Sequence, residues 1–194
     1  MWVVRVADVL KMQGKMPAHQ TLAREGLLWQ CEGSLLQAWV IFVSHQWMGL
    51  GHPDPFREQL QVLQEALRNL ISEQLQIEQD AAVQFFLKGG RTLSKGERRQ
   101  LEHAYIWLDY FSVPQMVPEA PTTRAEQLKY INSIPYYVES CEIFIALVPK
   151  TVHETGHLCG ESSWLQRGWC RTEMWCKLLS DRSDIPIILL TLGC

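Results

Sequence analysis

Trp39-Val40-Ile41-Phe42-Val43-Ser44 carries a polar side chain only at its carboxyl end. A strand with one face in water alternates apolar with polar residues, and this run does not. Continuous Val, Ile and aromatic side chains suit a strand covered on both faces, the condition of a parallel sheet in an α/β fold. Three further runs read the same way: Ala104-Tyr105-Ile106-Trp107-Leu108-Asp109, Glu142-Ile143-Phe144-Ile145-Ala146-Leu147-Val148 and Ile185-Pro186-Ile187-Ile188-Leu189-Leu190-Thr191. Pro186 falls near the start of its run, where a missing N–H is tolerated.

Helical patterns separate these runs. Asp54-Pro55 reads as an N-cap followed by proline at the first helical position. Behind it Leu60, Leu63, Leu67 and Leu70 form one apolar stripe, predicting a helix from about Pro55 to Leu75. Residues 76–103 make a longer connection than a compact βαβ unit needs. Lys88-Gly89-Gly90-Arg91 interrupts it and a short polar helix begins at Ser94-Lys95-Gly96-Glu97, so it reads as an insertion between the first two core strands. Thr123 and Glu126 form a capping box ahead of Leu128, Ile131 and Ile134, and Pro135 ends or kinks that helix. Ser162 or Ser163 caps a last helix running to about Ser180. The alternation predicts a parallel sheet with helices on both faces, one α/β domain over residues 39–194. Residues 1–38 carry weak helical patterns, such as Val6, Val9 and Leu10, and are expected to pack beside the sheet as an N-terminal extension.

Composition narrows the function classes. The 194 residues are 47% hydrophobic and 20% charged, ordinary for a globular domain. A formal charge of −3 supplies neither the basic footprint of a nucleic-acid binder nor a polybasic membrane patch. The apolar runs are strand-sized, far below the ~20 residues of a membrane span. Met1-Trp2-Val3-Val4-Arg5 does not read as a signal peptide, so a soluble cytoplasmic protein is expected. Cys31, Cys141, Cys159, Cys170, Cys176 and Cys194 are then expected as thiols, with no C-x-x-C pair among them. His153, His157 and Cys159 are spaced like zinc ligands, but a fourth is not evident and a surface loop is the simpler reading, leaving no metal assigned.

Ligands of open α/β sheets bind beyond the carboxyl ends of the strands. Those ends carry Ser44-His45-Gln46-Trp47, then Asp109-Tyr110-Phe111-Ser112, then the segment leading to Trp169 and Glu173. Each has a plain alternative role. Glu173 and Lys177 form an i,i+4 pair that would be an ordinary exposed ion pair, worth a few tenths of a kcal/mol. His45 and Asp109 could cap local backbone, Arg171 could be a solvated surface residue, and Trp164, Trp169 and Trp175 could serve packing alone. Helical geometry puts Cys170, Met174 and Leu178 on a core face, with Glu173 on its flank.

Three motifs in order resemble a known family. Trp39 to Trp47 resembles the first strand of TIR domains and of the related fungal heterokaryon-incompatibility (HET) domains. Tyr105-Ile106-Trp107-Leu108-Asp109, followed by Gln115, resembles the second HET block. Ser163 to Glu173, above all Gly168-Trp169-Cys170-Arg171-Thr172-Glu173, resembles the third block and the tryptophan–cysteine–x–x–glutamate segment of plant TIR domains. The resemblance implies a flavodoxin-like (TIR-like) sheet with Glu173 as the catalytic carboxylate of an NAD nucleosidase. NAD, or a related nucleotide, would be substrate rather than cofactor. Ser44, His45, Trp47, Asp109, Tyr110, Trp169 and Arg171 would bind it, and activity would depend on homotypic self-assembly. Other members are non-catalytic interaction modules in signalling, innate-immune or cell-death responses, which is the alternative function. This sequence departs from the pattern in the long connection 76–103 and in the proline-rich segment from Phe111 to Pro121, where TIR domains carry an assembly loop.

One carboxylate suffices for the implied chemistry. An ordinary glycosidase needs an acid to protonate the leaving oxygen and a second carboxylate to attack or activate water. The nicotinamide of NAD is already cationic, so the enzyme has only to orient the ribose and stabilise an oxocarbenium-like transition state. Trp47 or Tyr110 could stack on a base. A third reading, a thiol hydrolase using Cys170, His45 and Asp109, has the right residue types but places Cys170 toward the core.

Overall fold

The computed structural model describes residues 1–32, 38–72, 74, 93–116, 122–181 and 187–191. Rather than packing beside the sheet, the start of the chain joins it. β1 (Trp2–Arg5) leads through α1 (Val6–Val9) and α2 (His19–Arg24) to β2 (Leu28–Gln30), which pairs antiparallel with β1. The expected helical pattern is real but short: Val6 and Val9 are the buried residues of α1.

β3 (Val40–His45) is buried along its whole length. The helix after it, α3 (Glu58–Ile71), buries the leucine stripe at 60, 63, 67 and 70, and with it Gln59 and Gln64. It starts later than the sequence suggested. Pro55 precedes it, and Arg57 adopts a left-handed conformation (φ 67°) at its threshold. Asp54 nonetheless serves the helix end, since its Oδ2 accepts the Leu60 N–H at 2.9 Å. Residues 75–92, including Lys88-Gly89-Gly90-Arg91, lie outside the described residues, as do Pro186 and Cys194. The polar helix of that connection is α4 (Lys95–Glu102), opened by a Ser94–Glu97 capping box.

β4 (Tyr105–Leu108) runs directly into the single turn α5 (Asp109–Ser112). The Thr123–Glu126 capping box opens α6 (Arg124–Asn132), and Pro135 then sits in the first turn of a new helix, α7 (Ile134–Ser140). After β5 (Ile143–Leu147) comes a small hairpin of β6 (Thr151–Val152) and β7 (Leu158–Cys159). The last expected helix is two: α8 (Glu161–Gln166) and α9 (Gly168–Leu178), broken at Arg167, whose ψ of 128° is extended. β8 (Ile188–Leu190) completes the sheet.

The six strands lie in the order β2-β1-β4-β3-β5-β8. β4, β3, β5 and β8 are parallel, and β1 pairs antiparallel with β4 through Val4–Ile106 and Arg5–Tyr105. Both faces are covered, which explains why the runs do not alternate. Ile41, Val43, Ile106, Leu108, Ile145 and Leu147 pack under α1 to α5. Val40, Phe42, Trp107, Phe144 and Ala146 pack under α7, α8 and α9. On that second face Phe42 stacks on Trp107 (4.5 Å) and on Phe144 (5.4 Å), one aromatic row across three strands in register. Each such pair adds about 1 kcal/mol to the burial itself. Among the described residues no helix is long and apolar enough to cross a membrane.

Candidate active site

A cleft of about 600 Å³ opens beyond the carboxyl ends of β3 and β4, with α9 as its far wall. His45, Trp47, Asp109, Trp169 and Glu173 line it, together with Gln115, Gln127, Arg167 and Cys170. Residues distant in sequence meet because two parallel strands end side by side and α9 crosses that end of the sheet.

Glu173 departs most from its expected setting. In α9 the buried stripe is Cys170, Glu173 and Lys177, while Met174 and Leu178 are only half-buried. The exposed ion pair is thereby excluded as an account of Glu173 and Lys177. Lys177 is fully buried and its Nζ donates to the carbonyls of Cys141 (2.8 Å) and Glu142 (3.1 Å). Glu173 is 9% exposed, and its Oε2 accepts from the Ser44 hydroxyl at 2.5 Å. Ser44 in turn accepts from Trp164 Nε1 at 3.1 Å. Burial pushes the Glu173 carboxyl up to about 8, against the Ser44 hydrogen bond and with added repulsion from Asp109. At neutral pH this group is held mostly as the acid.

His45 and Asp109 make the second half of the site. His45 Nε2 meets Asp109 Oδ1 at 2.8 Å, and the two side chains are 2% and 34% exposed. Asp109 also accepts from Trp47 Nε1 (3.0 Å) and from the Tyr110 backbone N–H (2.6 Å). Burial disfavours charge on both partners, yet it is outweighed. The Asp109 charge and hydrogen bond, with Gln59, hold His45 above its usual value. The His45 charge and hydrogen bond, with Trp47 and Tyr110, hold Asp109 below its own.

Other expected residues fall elsewhere. Ser44 lies beneath the cleft and reaches it only through Glu173. Tyr110 packs edge-on against Trp47 (5.7 Å) and His52 (5.1 Å), buttressing the wall without lining it. Arg171 is exposed and lines a neighbouring groove between α7 and α9; Arg167 is the arginine on the cleft. Its signal in the sequence was faint: a lone arginine before Gly168, with nothing to mark a helix break. Gln59, which meets His45 from α3, was hidden among the leucines of that helix.

Cys170 is poorly set to be a nucleophile. Its Sγ donates to the His45 carbonyl oxygen at 3.6 Å, burial drives the thiol up to about 12, and both His45 nitrogens have other partners. Cys31, Cys141, Cys159 and Cys176 are likewise in no disulfide. On the β6–β7 hairpin, His153 and His157 stack at 4.4 Å and share the Thr155 hydroxyl. Among the described residues no group of three or more His, Cys, Asp or Glu is placed to hold a metal ion. Comparison with protein families, with curated proteins and with solved structures finds no match.

Proposed function

We propose that this is a TIR-like domain that cleaves the nicotinamide–ribose bond of NAD or a related nucleotide, with Glu173 as its catalytic carboxylate. The observation that carries the reading is the meeting of Glu173 with His45, Trp47, Asp109 and Trp169 in one cleft. Its volume of about 600 Å³ lies within the range of small-molecule sites. The parallel strands follow the spatial order second, first, third, fourth, which supports a flavodoxin-like arrangement.

A protonated Glu173 fits a cationic substrate. When a pyridinium enters the cleft its charge favours the carboxylate, so the group gives up its proton on binding. The resulting anion stabilises the positive charge that grows on the ribose carbon as nicotinamide leaves with the bonding pair, and water then adds to that carbon and loses its proton to solvent. Asp109, already ionised, accepts from a ribose hydroxyl, and Trp169 offers an aromatic face.

The test is nicotinamide release from NAD by concentrated protein, with Glu173→Ala as comparison. The reading expects release by the wild type and its loss in the variant. No release from folded, assembled wild type sinks it, and release that survives Glu173→Ala rejects the assigned carboxylate. A second reading is a non-catalytic homotypic interaction module. The groove between α7 and α9 favours it: Tyr136, Trp169, Trp175 and Leu179 line it and are all exposed. It expects concentration-dependent self-association with no turnover.

A further inference from the structure

Gln59 contributes nothing to the cleft surface, yet it is fully buried with every polar atom engaged. Its Nε2 lies 2.8 Å from the Gln46 carbonyl and 3.4 Å from the Pro53 carbonyl. A carbonyl oxygen only accepts, so two of them fix the amide nitrogen end of Gln59 and leave Oε1 facing His45 Nδ1 at 2.9 Å. Oε1 only accepts as well. Nδ1 therefore carries a proton.

The other nitrogen is settled on the Asp109 side. Trp47 Nε1 is a donor and can do nothing else, so Asp109 Oδ2 accepts; the Tyr110 N–H likewise makes Oδ1 an acceptor. Donors aimed at both oxygens favour the ionised carboxylate over the acid, and that ion receives a third hydrogen bond from His45 Nε2 at 2.8 Å. Both ring nitrogens then hold protons. We infer that Gln59 is a positioning residue that fixes His45 as an imidazolium, and that this buried cation keeps Asp109 ionised with one acceptor position left for a ligand.

The count for that last position follows from the carboxylate's four lone pairs. His45 and Tyr110 take two on Oδ1, and Trp47 takes one on Oδ2. The remaining one belongs to a side chain that is 34% exposed and lines the cleft. Its partner is a donor: a hydroxyl or amide N–H of the ligand, not a phosphate or carboxylate, which the ionised Asp109 repels. The titratable neighbours of the ring are Asp109 from the start of α5 and Glu173 from α9, with Gln59 from α3 as the neutral partner. The inference concerns the resting site and does not need the proposed NAD cleavage.

The experiment reads protonation directly by NMR of ¹⁵N-histidine-labelled protein, following the two ring nitrogens of His45 from pH 5.5 to 9. The wild type is expected to be doubly protonated at pH 7. Gln59→Met removes the acceptor while keeping the length of the side chain, and its ring is expected to titrate at lower pH than the wild type. A singly protonated ring in the wild type at pH 7 overturns the inference without any variant. So does a midpoint unmoved in folded Gln59→Met. Nicotinamide release is measured on the same samples; its absence bears on the proposed function, and the ring signals stand independently.

Discussion

Glu173→Gln separates what the folded protein loses from what the site gains by burying a carboxyl group. The folded value of about 8 lies above the 4.5 of a free glutamate, so the native state binds this proton more tightly than the unfolded chain. Below pH 4.5 both states are protonated and the contribution to stability is fully present. As pH rises, the unfolded chain ionises while the folded one holds its proton, and stability falls by about 1.4 kcal/mol per pH unit. The loss is complete once pH passes about 8, and over the window it amounts to roughly 5 kcal/mol, as an upper bound. That is comparable with the whole stability of many domains. Glutamine removes the titration, and its side-chain oxygen still accepts from Ser44. Urea unfolding followed by tryptophan fluorescence at pH 5, 7 and 8.5 is the assay. Wild type and variant are expected within ~1 kcal/mol of each other at pH 5, with the variant ahead by at least ~2 kcal/mol at pH 8.5. The variant should release no nicotinamide, a gain of stability with a loss of function. Parallel stability curves, or a variant weaker than wild type at pH 8.5, would refute the reasoning.

Asp109→Asn should cost about 2 kcal/mol in denaturant unfolding at pH 7, because it leaves the His45 charge without its counter-ion, and it should abolish nicotinamide release. Since Asp109 is held below its ordinary value, its contribution is present above pH 3.8 and fades as pH falls through its folded value, so the gap between wild type and variant should narrow in acid. Cys170 should resist iodoacetamide at pH 8 in the folded protein and react after unfolding, as read by mass spectrometry; rapid labelling of the native state would contradict a thiol held near 12. Gly49→Ala should lower the thermal midpoint, costing about 1–3 kcal/mol, because a Cβ there would lie 2.5 Å from Glu154 Oε2 and 2.9 Å from the His52 carbonyl. It would displace the Glu154 carboxylate that accepts the Leu50 N–H and ties the β6–β7 hairpin to the loop after β3; an unchanged midpoint would argue against that clamp.

Which features the sequence disclosed follows from how locally each is determined. The four parallel strands were legible because coverage of both faces leaves a continuous apolar run. The starts of α4 and α6 were legible because a capping box needs particular side chains three residues apart. β1 was not: four residues say little, and its role depends on pairing with Ile106 and Tyr105 far along the chain. α9 misled because pattern rules send charges to solvent, whereas its buried stripe contains Glu173 and Lys177. Those two residues also show why burial alone does not mark a site. Lys177 is held by two backbone carbonyls at the α7–β5 junction, a cation anchored at a place where the chain offers acceptors. Glu173 has a single serine hydroxyl on Oε2, a repelling Asp109 nearby, and an edge on the cleft. A carboxyl group that burial keeps protonated ionises more readily beside a positive charge, so the same burial that costs stability as pH rises from 4.5 to about 8 would favour a cationic ligand over a neutral one under the proposed function.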